Sequence, residues 1–267
     1  HVFILHLYKM HLQCILTRLF GRVAGFPLMT VVLLQPESEI MTITDQSLGQ
    51  LATSIAGATA VFHQYKLDFC CGGQQSLADA AAKRGIDVET IIAQLADLQK
   101  KPSNKPDWRK AKPADLAHFI LERFHARHRQ QLPELVRLAR RVEHVHGDHP
   151  ECPTGLAEHL SHMEQELESH MHKEEQILFP MLCNGFYPTG PIHVMQHEHV
   201  QHGDALAELE KLSHQMELPD GACNTWTALY LGLRELKEDL MEHILLENEI
   251  LFVEPVSQKG QCCGSCQ

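Results

Sequence analysis

Basic residues are scarce in this sequence: 23 Lys and Arg stand against 34 Asp and Glu, a formal net charge of −11 over 267 residues. A nucleic-acid surface needs a basic stripe, so the balance argues against that class and is compatible with a protein that handles cations. Long apolar runs are also lacking. The run from Val23 to Leu34, behind Arg18 and Arg22, falls short of the ~20 residues a membrane span requires and only loosely resembles an export signal. No small-residue cleavage site of the expected kind precedes Met41, so residues 1–40 are expected to be a non-native or disordered extension. The cysteines do not follow the plan of a secreted disulfide scaffold either. There are nine, an odd number, with five in two tight clusters. That usage points to reactive or metal-binding thiols in a reducing cytosol.

What the chain has in excess is histidine, 20 residues. Histidine is the commonest metal ligand among side chains. Most of the 20 are expected on a solvated surface, so the question becomes which ones leave it.

The apolar periodicity is helical throughout, which predicts an all-α protein. Leu48, Leu51, Ile55 and Ala58 recur at helical spacing, as do Leu77, Ala80 and Ala81. Asp87 stands as an N-cap before Val88, Ile91, Ile92, Leu95 and Leu98. Between them lies Asp68-Phe69-Cys70-Cys71-Gly72-Gly73, a turn with paired thiols. Prolines 102, 106 and 113 among charged residues mark a linker over 101–113. A small helical domain is therefore expected over 41–100 and a larger one over 114–253, followed by a Cys-rich tail over 254–267. The larger domain carries four long patterns, about 114–144, 154–182, 191–216 and 224–252, with Pro133 a candidate kink in the first. Short connections between them predict an antiparallel four-helix bundle.

Polar residues interrupt two of the apolar stripes. The second helix reads Leu156, Leu160, Met163, Leu167, His170, Glu174, Ile177, Met181. The fourth reads Leu229, Leu233, Leu236, Leu240, His243, Glu247, Ile250. His and Glu at i, i+4 leave one helix face together, and a buried carboxylate is costly unless paired or bound to a metal. One core histidine is usually an ordinary core residue; two copies of His-x-x-x-Glu on two core stripes are harder to dismiss. The pattern also repeats. His125 precedes His170 by 45 residues and His199 precedes His243 by 44, and Glu174-Glu175-Gln176-Ile177-Leu178-Phe179 parallels Glu247-Asn248-Glu249-Ile250-Leu251-Phe252. Four imidazoles and two carboxylates suit iron, manganese or zinc. Carboxylates able to bridge, with histidines at both ends, favour two metal ions, and we read them as iron. His128 shares the stripe of His125 and is a candidate supporting or alternate ligand.

Taken with Phe124-His125-Ala126-Arg127-His128, His170-Met171-His172-Lys173-Glu174-Glu175, His197-Glu198-His199 and His243-Ile244-Leu245-Leu246-Glu247-Asn248, the chain from about Met41 to Phe252 resembles the repair-of-iron-centres family. These are di-iron proteins with a hemerythrin-like domain and an N-terminal Cys-Cys-Gly-Gly domain. The resemblance implies iron ligands at His125, His170, Glu174, His199, His243 and Glu247, with the two glutamates bridging and two Fe ions that are carboxylate- and oxo-bridged. His146 matches a histidine sometimes counted as a ligand, yet on a continuous helix it would lie roughly 31 Å from His125. His172 and His202 are minor candidates. Val253 stands where the family typically ends its last helix with proline. The tail, Cys262-Cys263-Gly264-Ser265-Cys266, has Cys-x-x-Cys spacing that can chelate a soft metal or close a disulfide.

The function the resemblance implies is repair of iron–sulfur clusters damaged by nitric oxide or oxidants, by donation of labile iron. Its partners would be damaged or apo iron–sulfur proteins, with no nucleic acid and no membrane, in the cytoplasm, and with a homodimer allowed. Two alternatives stay open on the sequence. One is an enzyme that reduces nitric oxide to nitrous oxide at the di-iron site; the other is a module that binds or senses oxygen or nitric oxide.

Overall fold

A computed structural model of the protein describes residues 43–100 and 106–254, which all fall within one compact unit. The expected extension (1–40) and the tail thiols Cys262, Cys263 and Cys266 lie outside the described residues. Every regular element among the described residues is helical, apart from one isolated bridge between Ser47 and Ser76.

From Leu48 to Gln99 the chain forms four helices: α1 (Leu48–Ser54), α2 (Ala58–Gln64), α3 (Leu77–Arg84) and α4 (Val88–Gln99). Ser47, Ser76 and Asp87 cap α1, α3 and α4 by accepting backbone N–H bonds from Gln50, Asp79 and Glu89, the local signal that starts a helix. The stretch Leu48 to Ala58 is one apolar pattern but two helices. Gly57, at φ 89°, turns the chain between them while Leu48, Leu51, Ile55 and Ala58 all stay buried.

The described part of the proline-rich segment is folded. A 3-10 turn (Trp108–Lys110) places Trp108 against Phe119 with ring centroids 4.5 Å apart. Pro113 then opens the first bundle helix at its first position, where a missing N–H costs nothing. That helix is α5 (Pro113–Ile120), a π turn (Leu121–His125) and α6 (Ala126–His146), continuous through Pro133. The second is α7 (Leu156–Lys173), a π turn (Glu174–Leu178) and α8 (Phe179–Cys183). The third, α9 (Thr189–Leu212), is regular. The fourth is α10 (Asn224–Leu246) with a terminal π turn (Glu247–Leu251).

The π turns correct the expected stripes. Ile177 is 51% exposed, and Leu178 and Leu182 hold the core instead of Ile177 and Met181. Leu251 likewise replaces Ile250, and Ile120 and Phe124 are buried where Leu121 is only half-buried. A π turn inserts one residue into the helical repeat, so the buried face moves by one position at each.

Two apolar clusters lie on either side of the polar residues. One runs from the N-terminal helices through the middle of the bundle, from Leu48 and Phe62 to Leu132, Leu160 and Leu236. The other closes one end with Ile120, Phe124, Phe179, Leu182, Leu246 and Phe252.

Candidate metal centre

Between those clusters the structure brings together His125, His170, Glu174, His199, His243 and Glu247, each no more than 1% exposed. They form two groups, His125–Glu174–His243–Glu247 and His170–Glu174–His199–Glu247, whose ligand atoms lie within 4.8 Å of one another. Both glutamates belong to both groups. Glu174 turns Oε2 toward His125 Nε2 (3.5 Å) and Oε1 toward His170 Nε2 (3.3 Å). Glu247 turns Oε1 toward His243 Nε2 (2.9 Å) and Oε2 toward His199 Nε2 (3.1 Å). Each carboxylate thus spans the two groups, one oxygen to each.

The far nitrogens fix the tautomers. His170 Nδ1–H donates to Glu198 Oε2 (2.9 Å), His199 Nδ1–H to Asn248 Oδ1 (2.9 Å) and His125 Nδ1–H to Glu175 Oε1 (2.8 Å). A ring that donates through Nδ1 presents a bare lone pair at Nε2. The Nε2 atoms of His170 and His199 nevertheless meet at 3.1 Å, and those of His125 and His243 at 3.2 Å. For His170 and His199, whose Nδ1 protons are both committed, bare Nε2 lone pairs at that distance repel unless a proton or a metal ion sits between them. An ion bonded to both at about 2.1 Å would subtend roughly a right angle. Neither oxygen of Glu174 has a well-formed hydrogen bond, nor has Glu247 Oε2, although all are buried. Orphaned carboxylate oxygens and converging imidazoles together are the donor set of a metal site, and the residues present fit two ions.

Electrostatics of the protein groups alone follow the same geometry. Burial opposes charge on His170, but Glu174 and Glu198 outweigh it and lift its pKa to about 10. Burial and Glu247 both push Glu174 up, and the facing histidines more than offset them, leaving its carboxyl below the usual range. Burial drives His243 well down. Positive charge is therefore demanded between the two carboxylates, whether as shared protons or as metal ions.

Other candidates fall elsewhere. His128 is fully buried, packs against His243 with ring centroids 5.4 Å apart, and has neither nitrogen partnered. Burial pushes its pKa down to about 3, so it stays neutral beside the centre without joining either group. His202 packs edge-on against His170 at 4.9 Å and is also pushed down to about 3 by burial. His172 is exposed. His146 lies at the end of α6, where its Nε2 meets Cys223 Sγ at 3.2 Å and its ring packs on Trp226. It is not part of either group. Cys70 and Cys71 sit outside the bundle, with Cys71 Sγ donating to the backbone carbonyl of His199 (3.2 Å).

Neither the supports Glu175, Glu198 and Asn248 nor the phenyl rings of Phe124, Phe179 and Phe252, which pack on His243, His125 and His199, stand out from sequence periodicity. The signal was adjacency: each support neighbours a ligand in sequence, and Glu175 and Asn248 are matching positions of the internal repeat.

Comparison with known proteins supplies the context. Residues 116–254 match the hemerythrin HHE cation binding domain, and residues 44–99 match a domain of unknown function, DUF542. Iron-sulfur cluster repair protein YtfE of Yersinia pseudotuberculosis serotype O:1b (strain IP 31758) is 51% identical over 223 residues, 83% of this chain and 100% of that protein. Its namesakes from Dickeya chrysanthemi (strain Ech1591) and Yersinia pestis (strain Pestoides F) are 50% identical over the same spans.

Proposed function

The chain belongs to the YtfE family of iron–sulfur cluster repair proteins, and from that premise we propose that it repairs damaged iron–sulfur clusters by donating iron held in its bundle. The observation that carries the reading is the pair of buried His2Glu2 groups that share Glu174 and Glu247. His125 and His243 would hold one iron, His170 and His199 the other, and the two glutamates would bridge them. Bridged in this way, the pair of ions would supply ferrous iron as cargo.

The chain's own residues favour storage with release. Nitrogen and oxygen donors hold ferrous iron only moderately, near the weak end of the divalent series. Glu175, Glu198 and Asn248 hold His125, His170 and His199 aimed at the centre. The apolar cluster around Phe124, Phe179 and Phe252 keeps water from one side. The clients would be apo or damaged iron–sulfur proteins, and the protein would act in the cytoplasm; no helix among the described residues is long and apolar enough to cross a membrane.

Iron-loaded protein should carry about two irons per chain. Reduced protein should yield them to a chelator faster than oxidised protein does, and the released iron should rebuild an apo cluster protein given sulfide and reductant. If reduced protein keeps both irons against excess chelator while turning nitric oxide into nitrous oxide over many cycles, donation is wrong and the enzymatic alternative replaces it. One tightly held zinc and no iron would sink both.

A further inference from the structure

Cys70 and Cys71 have no place in the bundle's ligand set, yet their turn is built with care. Asp68 Oδ1 accepts the backbone N–H of Cys70 (3.2 Å) and of Cys71 (3.0 Å), and Oδ2 accepts that of Gly72 (2.9 Å). Gly73 closes the turn so tightly that a Cβ there would lie 2.3 Å from the Phe69 carbonyl oxygen. The two sulfurs end 3.4 Å apart, and Cys70 Sγ is 3.5 Å from Asp68 Oδ1. A tetrahedral ion with bonds of about 2.3 Å to sulfur and about 2.1 Å to oxygen would hold two sulfurs about 3.8 Å apart and a sulfur and oxygen about 3.6 Å apart. The observed spacings are within a few tenths of an ångström of those values. A disulfide would need the sulfurs at about 2.05 Å.

The turn is also accessible. Cys70 is buried, Cys71 half-buried and Asp68 exposed, and all three line an open cleft of about 570 Å³ between the N-terminal helices and the bundle. Gly203 lets the third bundle helix approach Cys71 closely: a Cβ there would stand 2.7 Å from Sγ. Simple core packing would explain Cys70 alone. It does not explain a carboxylate and a second, half-exposed thiol converging on the same point of a cleft.

We propose that Asp68, Cys70 and Cys71 form a second metal site, for a single thiophilic divalent cation, with its fourth position open to the cleft. Binding releases the two thiol protons to solvent and involves no change of oxidation state. The site is joined to the buried centre at one residue: the Cys71 thiol donates to the His199 carbonyl, a bond given up with its proton when a cation binds, and Asn248 bridges the Cys70 carbonyl (3.2 Å) to His199 Nδ1 (2.9 Å). That the ion is ferrous iron in transit rests on the donation reading above; the site itself does not.

The test is a cadmium titration of iron-loaded, full-length protein in which Cys262, Cys263 and Cys266 have been changed to Ser. One Cd²⁺ per chain should bind with the near-ultraviolet absorption of cadmium–thiolate bonds. Adding Cys70→Ser and Cys71→Ser should remove that ion and its absorption while iron content and helix content stay unchanged. Asp68→Asn, which keeps both thiols, should weaken Cd²⁺ binding at least about tenfold, since losing even a hydrogen-bonding support of a ligand costs about 10–100-fold. Equal cadmium uptake with and without the two thiols overturns the site, and unchanged affinity in Asp68→Asn overturns the three-ligand form of it. Iron measured in the same samples reports on the buried centre separately. A cadmium signal that follows Cys70 and Cys71 in protein that takes up no iron would sink the donation reading and leave this site standing.

Discussion

His170 and His243 hold matching places in the two halves of the bundle, but their Nδ1 atoms meet different neighbours. Glu198, the residue before His199, accepts the His170 proton. The matching residue before His125 is Phe124, whose ring stacks on His243 at 5.3 Å and leaves its Nδ1 without a partner. A carboxylate behind an imidazole raises its basicity as a ligand; a phenyl ring does not. The two ions should therefore be inequivalent, and the Mössbauer spectrum of iron-loaded protein should contain two quadrupole doublets. A single sharp doublet would contradict the assignment. Glu198 offers a second check. Its bond to His170, with help from Lys173, holds its carboxyl down to about 2, below the ordinary ~4.3. A depressed carboxyl stabilises the fold above its unfolded value and loses that contribution as pH falls toward the folded one. The melting temperature of metal-free protein should thus drop between about pH 4.5 and pH 2, with a shallower drop in Glu198→Gln; parallel curves would show that Glu198 adds nothing to stability. The six buried candidate ligands were legible in sequence because a polar residue on an apolar stripe conflicts with its surroundings. Glu198, Glu175 and Asn248 create no such conflict: half-buried at the edge of a helix, they read as solvated polar residues.

Three of the four bundle helices carry a π turn at the centre, and each turn touches a candidate ligand: it ends at His125, begins at Glu174, and begins at Glu247. The hydrogen bonds prove the widening, running from Ala126 N–H to the Leu121 carbonyl, from Phe179 to Glu174 and from Phe252 to Glu247. Such turns are frequent at functional sites because they reset the facing of a helix beyond one residue. Here they let the same rod aim a ligand at the centre and then place Leu178 and Leu182, or Leu251, in the sealing cluster. Helix type and approximate ends were readable from periodicity, but the π turns were not, because they change the pattern by a single position that a 3.6-residue period absorbs. Only Pro180 hints at one, since a proline just past the Glu174–Leu178 turn has no N–H to offer the preceding turn. Deleting the exposed Gln176 should restore α register with α8 still facing the sealing cluster, while closing the widened turn that sets the direction of Glu174. We expect near-normal helix content by circular dichroism with less than half the iron per chain. Full iron occupancy in the deletion would mean the π turn is incidental to the centre.

At the scale of the whole molecule, the N-terminal helices are held on the bundle where α9 and the end of α10 carry His199 and Glu247. A shared apolar cluster crosses the junction, and side-chain hydrogen bonds pin it at particular points. Gln74 Nε2 donates to Glu249 Oε1 (2.9 Å), Asn248 Nδ2 donates to the Cys70 carbonyl, and Cys71 donates to His199. Glu249 lies so close over Gly49 that a Cβ there would stand 2.4 Å from its carboxyl carbon. The clash is with the end of a flexible side chain, so Gly49→Ala should be absorbed by a shift of Glu249. Gly49→Leu leaves no such room and should push the N-terminal helices off the bundle. Undocking breaks the bond from Cys71 to the His199 carbonyl and frees Asn248 from the Cys70 carbonyl, loosening the support of one ligand without removing any. Loss of a ligand's support costs about 10–100-fold in metal affinity. Gly49→Leu protein should therefore fill with iron at high iron concentration, react faster with a thiol reagent at Cys71, and surrender iron to a chelator about tenfold faster than the parent or Gly49→Ala. If Cys71 becomes reactive while the chelator rate stays at the parent value, the N-terminal helices are docked on the bundle without any hold on its metal.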